Sequence, residues 1–230
     1  MKRAVDVFEF EQGFARSPLV DQVWHTRSVP EEGFISVAAS QWEIVVTRQD
    51  GAAWLTVLGP QTKATTASIP EDAEFFGIRF SLGTFMPRLP PELLVNRGLT
   101  LPRATKTSVR LDGYRLELPG RDDVDAFVDK LVRTGLMVRD PVAQAAVHGQ
   151  VDGLSARSLE RRVSRATGLT RGGIRQIRRA EIAVKMLTEG VAPIDVAHHA
   201  GYADQPHLTR SLRRFVGQTP AEIAATASRL

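Results

Sequence analysis

Two stretches of this chain set arginine at matching offsets from a leucine and a glycine. Leu159-x-Arg161 followed by Gly168-x-Thr170 returns 49 positions later as Leu208-x-Arg210 followed by Gly217-x-Thr219. A guanidinium carries five N–H donors in a rigid fork, so an outward-facing arginine can donate two parallel hydrogen bonds to a guanine edge or to phosphate oxygens. The chemistry this pattern offers is recognition of a polyanion with an ordered set of acceptors.

The spacing predicts what must hold these side chains. A helix turns 100° per residue, so Leu208, Leu212 and Phe215 share an inner arc and Arg210, Arg213 and Arg214 lie outside it. The earlier run repeats this with Leu159, Val163 and Ala166 inside and Arg157, Arg161 and Arg165 outside. Such a short helix fits a major groove about 12 Å wide. Gln205, His207 and Thr209 add shorter polar side chains near the helix start, where base edges are met, with Arg210 at the centre of the outer face. Arg213 and Arg214, further along, suit phosphates. Glu160 can accept from a cytosine amino group or pair with Arg157 or Arg161, and the ion pair is favoured. Pro206 starts its helix. A basic helix is often only a solvated face, but the repeated register argues for nucleic acid.

Ahead of these two helices, apolar spacing at Val124, Phe127, Val128, Leu131 and Val132 predicts a helix after Asp122-Asp123. Further helices are expected over Pro141–His148, about Ala156–Thr167 and about Gly173–Thr188, and from Pro193 to near Gly201. Thr219, Pro220 and Glu222 form the capping box of a last one. The long helix, with Arg175, Arg178, Arg179 and Lys185 outside, spans roughly 22 Å and spaces two reading heads. Heads one DNA turn apart, about 34 Å, would enter successive major grooves. Ahead of the helices, Phe34–Val37, Trp42–Thr47, Trp54–Leu58 and Phe75–Phe80 are β-type runs, and Gln49-Asp50-Gly51 is a hairpin turn. Residues 83–121 read as a connecting region, with a short helix starting at Pro91.

The expected fold class is therefore α+β in two domains. A β-rich barrel or sandwich, with the connecting region, occupies 1–121, and an all-α domain occupies 122–230 with helix-turn-helix units at about 140–168 and 193–217. Charge follows the division: residues 150–230 hold 13 Lys+Arg against 7 Asp+Glu, whereas residues 1–149 hold 17 against 19. With 230 residues, 43% hydrophobic and 24% charged, the chain falls in the soluble globular class. No apolar run approaches the ~20 residues of a membrane span and the start lacks a signal peptide, so the expected location is cytoplasmic, without membrane partners.

Residues 140–220 resemble the C-terminal domain of the AraC family of transcription regulators. The second unit carries most of the likeness, through Ile194-Asp195-Val196-Ala197, Gly201-Tyr202-x-Asp204-Gln205, Leu208-x-Arg210 and Phe215-x-Gly217-x-Thr219-Pro220. The first adds Leu154-Ser155-x-Arg157-x-Leu159-Glu160-Arg161 and Gly168-Leu169-Thr170, while its entry, Val142 to Gly153, departs from the family pattern. The resemblance implies base-reading positions at Arg157, Glu160 and Arg161, and at Gln205, Pro206, His207, Thr209 and Arg210. It also implies a cupin-like β domain for sensing or dimerisation. By residue type alone, Trp24, Trp42 and Trp54 are a candidate apolar or planar-ligand pocket, although aromatic residues at strand spacing are more often core.

The expected function is that of a sequence-specific regulator. Its partners would be double-stranded DNA, with room for a small-molecule effector, RNA polymerase and a homodimer. A nonspecific nucleic-acid binder or adaptor is the alternative, and a cupin-type enzyme a weaker one. Of five histidines only His25 lies in the β half, too few for a barrel metal centre, and the absence of cysteine excludes thiolate chemistry. No catalytic residue, metal or cofactor is expected.

Overall fold

Alternating apolar residues build one antiparallel sheet and define its buried face. In the computed structural model, which describes residues 11–13, 15–28, 34–67, 70–147, 149, 151 and 153–227, the strands are β1 (Glu11–Gly13), β2 (Val20–Arg27), β3 (Phe34–Ser36), β4 (Glu43–Gln49), β5 (Ala52–Leu58), β6 (Thr65–Ala67), β7 (Glu74–Phe80), β8 (Thr84–Phe85), β9 (Gly98–Thr100), β10 (Ser108–Leu111), β11 (Tyr114–Glu117) and β12 (Val138–Arg139). Six of them order as β1-β2-β7-β4-β5-β9, and β3–β6, β10–β11 and β12–β8 pair separately. Ile44 lies opposite Ile78 and Val57, and Val46 opposite Phe76 and Leu55, so the register lines these side chains on one face.

The β4–β5 connection is the expected two-residue hairpin, with Asp50 and Gly51 both at positive φ (50° and 70°). Asp112 and Gly113 (50° and 81°) make a second such turn between β10 and β11, inside the stretch read as a connecting region. That stretch also holds α1 (Pro91–Leu94) and β9. The Asp-Gly signal was there, but its flanking strands are only four residues each, too short to show a period.

The helices are α2 (Val124–Arg133), α3 (Pro141–Val147), α4 (Ala156–Thr167), α5 (Arg171–Thr188), α6 (Pro193–His199), α7 (Gln205–Phe215) and α8 (Pro220–Ala227). His148, expected to end α3, lies outside the described residues, as do the first ten residues. The N-terminal part is mostly sheet and the C-terminal part helical. One packing result departs from expectation. Val124, Phe127, Val128 and Leu131 of α2 join the core formed by the sheet, together with Leu136 and Met137. The helix expected to open the helical domain thus covers the β core, and a boundary at 121/122 would cut through that core. Val132, expected on the buried arc, is 43% exposed.

A second core gathers Leu159, Val163, Ile174, Ile177, Leu187, Val196, Leu208, Leu212 and Phe215. Ala38 and Phe85, from the β part, belong to it as well. The two parts therefore share buried surface.

Candidate nucleic-acid interface

Each repeated unit ends its inner helix in the same way. Ser155 caps α4, its hydroxyl accepting the Ser158 N–H at 3.2 Å, and Asp204 caps α7 by accepting the His207 N–H at 2.6 Å. At the other ends Gly168 and Gly217 stand at φ 70° and 77°, a left-handed turn that glycine adopts without penalty. The Gly-x-Thr repeat is thus the stop signal of α4 and α7. Thr170 then caps α5, and Thr219 with Glu222 forms the expected capping box: the Thr219 N–H donates to Glu222 Oε2 at 2.7 Å and the Glu222 N–H to Thr219 Oγ1 at 3.3 Å.

Leu208, Leu212 and Phe215 are buried, as are Leu159, Val163 and Ala166, so both helices present the predicted inner arc. The outer arc follows. Arg157, Arg161, Arg165, Gln205, Arg210, Arg213 and Arg214 are exposed. Pro206 sits in the first turn of α7, behind the Asp204 cap. α5 spans 18 residues, starting two residues before the expected Gly173 because Thr170 caps it early, and at 1.5 Å per residue it is about 27 Å long.

Four site residues are tied down by the fold. Glu160 is half-buried, and its carboxylate accepts the N–H of Arg171, the first residue of α5, at 3.2 Å. Instead of the favoured ion pair with Arg157 or Arg161, it satisfies an orphan donor at a helix start, where its charge also suits the helix dipole. His207 turns its ring edge-on to Tyr202, centroids 5.2 Å apart, and the Ala203 N–H points at its Nδ1 at 3.4 Å. That contact leaves Nε2 carrying the proton. The Thr209 hydroxyl donates back to the Gln205 carbonyl at 3.0 Å, so the side chain offers an acceptor and a methyl. The Arg214 guanidinium lies 5.0 Å over the Phe215 ring.

Residues outside the predicted set hold the second unit in shape. The Tyr202 ring is stacked under the Arg179 guanidinium at 4.5 Å, and its hydroxyl meets Ser211 Oγ at 3.1 Å. Arg179 Nη1 also donates to the Gly201 carbonyl at 3.0 Å. An arginine expected to face outward from the spacer helix instead clamps the turn that leads into α7. Arg162 does similar work in the first unit, pairing at 3.2 Å with Asp140, whose Oδ1 accepts the N–H of Val142 and of Ala143 at the start of α3. Only the choice of partner separates these arginines from the outward ones, and spacing cannot reveal that.

The three tryptophans do not share a pocket. Trp42 stacks on Phe80 at 4.1 Å within the β core and donates to the Thr84 carbonyl at 2.6 Å. Trp24 pairs in register with Gly77 and Trp54 with Thr47, on the face opposite Ile78 and Leu55. Strand alternation sends them to the other side of the sheet. The cavity beside Trp42, lined by Val57, Met86, Leu89 and Leu94, is about 10 Å³, near the lower limit for one water. His25 meets Glu74 Oε1 at 2.5 Å through Nε2. Among the described residues no three His, Asp or Glu side chains gather as a metal site, and no helix is long and apolar enough to cross a membrane.

With this geometry in place, residues 150–226 match the family model described as a helix-turn-helix domain. Over 88 residues the chain is 31% identical to the HTH-type transcriptional regulator RipA of Corynebacterium glutamicum, a stretch covering 37% of this chain and 27% of that protein. A structural comparison with ToxT from Vibrio cholerae O395 covers 98% of this chain and 100% of that one, with a TM-score of 0.45 and 9% identity.

Proposed function

We propose that this chain, whose residues 150–226 are a helix-turn-helix domain of the AraC type, is a sequence-specific DNA-binding transcription regulator. The observation that carries the reading is the pair of arginine-faced helices, α4 and α7, each started by a side-chain cap and stopped at a glycine, with the long helix α5 and the short helix α6 between them. Arg210, with Gln205 beside the cap, reads base edges in one major groove, and Arg157 and Arg161 do so in the next. Arg165, Arg213 and Arg214 grip phosphates. His207 offers its Nε2–H and Thr209 its methyl, while Glu160 supports α5. The spacer, about 27 Å long, is of the order of one DNA turn, about 34 Å.

Selection from a random-sequence pool, followed by competition, tests the reading. The selected duplex should be preferred over random DNA by at least ~10³-fold at physiological salt. Equal affinity for both would leave a nonspecific binder or adaptor.

We place the division between the two parts after Met137, where the β core ends. Effector control belongs on the outer sheet face, where Trp24 lies over Gly77 and donates to Glu43 at 3.3 Å, and where the buried Thr26 hydroxyl has no hydrogen bond among the described residues. Calorimetric titration of the full chain and of Trp24→Ala with planar metabolites tests this: heat that survives the substitution unchanged removes the site from this face.

A further inference from the structure

The β part touches the C-terminal ends of both reading helices. In the last turn of α7, the Ala64 N–H donates to the Arg214 carbonyl at 2.8 Å and the Ala38 N–H to the Phe215 carbonyl at 2.7 Å. A Cβ added at Gly217 would come within 2.9 Å of Ile35, and one at Gly168 within 2.8 Å of the backbone of Pro91 and Glu92. The segments making these contacts are bonded to each other. Asn96 Oδ1 accepts from the Thr62 N–H at 2.8 Å and its hydroxyl at 3.0 Å, the Asn96 N–H donates to the Pro60 carbonyl at 2.8 Å, and the Gly59 N–H to the Arg97 carbonyl at 3.0 Å. Residues 59–64 and 91–97 thus form one ridge reaching from the end of α4 to the end of α7.

The ridge is charged unevenly. Glu92, in the segment that meets α4, is exposed, and so are Lys63, next to Ala64, and Arg97, next to Asn96. Lys63 precedes Ala64, whose N–H bonds to the Arg214 carbonyl, so its flexible four-carbon stem starts close to the end of α7 that carries Arg213 and Arg214.

Resting on the DNA-binding reading above, we propose that the β part is itself a piece of the DNA interface, with Lys63 and Arg97 extending the phosphate grip of Arg213 and Arg214 along the sugar–phosphate backbone. The contact is electrostatic and indifferent to sequence, so it adds affinity without altering base preference.

The test uses the full chain and a random-sequence 30-bp duplex, with affinity followed from low to moderate salt. Each phosphate contact contributes about 0.9 to the slope of log affinity against log salt. Lys63→Gln and Arg97→Gln should each flatten the slope by about 0.9, and the double variant by about 1.8. Lys106→Gln, the same charge change in the loop before β10, should leave it unchanged. Wild-type slopes in both ridge variants, or an equal loss in Lys106→Gln, overturn the proposal. A wild-type chain that fails to bind any duplex overturns the DNA-binding reading and this one with it. Wild-type binding with unaltered ridge variants overturns this one alone.

Discussion

Arg210 projects from the middle of an exposed arc with no ion pair or hydrogen bond among the described residues, which is the condition for lending its donors to a base. Arg210→Ala should cost about 1–3 kcal/mol of specific affinity and relax preference at one base pair, with circular dichroism unchanged. Glu160→Gln separates the two uses of that carboxylate. It should lower stability by roughly 0.5–1 kcal/mol through a weaker cap on α5 while leaving base preference intact in a selected-sequence assay. Changed base preference would return Glu160 to the reading set. Glu74 is a different case: the hydrogen bond with His25 holds its carboxyl below the ordinary carboxylate value, with Arg48 and Arg27 acting in the same direction. A depressed carboxylate contributes stability that is present above its unfolded pKa and lost as pH falls through its folded one. Urea midpoints followed downward from pH 6 should therefore drop more steeply below pH 4.5 in the wild type than in His25→Ala. Parallel curves would deny the link.

Helix ends make a sharper test than helix faces. Gly201, at φ 72° with open space where a Cβ would point, should tolerate alanine at the cost of the left-handed backbone alone, about 1–2 kcal/mol. Gly168→Ala adds a 2.8 Å collision with the backbone of α1, so its loss in urea unfolding should be clearly larger than that of Gly201→Ala. Equal losses would show that α1 yields freely. Helices α4 and α7 were legible in sequence because each carries a strong 3.6-residue period between a capping side chain and a terminal glycine. The strands from Trp42 to Phe80 were legible through alternation and turn residues. The β10–β11 hairpin is hidden in sequence because its strands are too short to alternate, and α2 shows its apolar face there but not that the sheet covers it, since periodicity reports a buried face without saying what buries it. Arg179, Arg162 and Glu160 illustrate the same limit at the site: charge and position are in the sequence, partners are not.

At the scale of the molecule, shared burial should make the two parts unfold together. All three tryptophans lie in the β part and most of the helices in the other, so indole fluorescence and ellipticity at 222 nm follow different halves of the chain. Ala38 and Phe85 sit in the helical core, and the ridge joins both reading helices, so the two denaturation curves should coincide. Separate midpoints would mean the contacts between parts are weak. The closing glycines of α4 and α7 acquire a history from this arrangement. At Gly168 one residue answers two unrelated demands, a backbone turn only glycine makes cheaply and clearance for a neighbouring segment. A second mutation in α1 can restore room but cannot restore the turn, so no single compensating change reopens the position. Substitutions on the exposed arcs of α4 and α7 meet only solvent, whereas the point where α4 stops admits glycine alone.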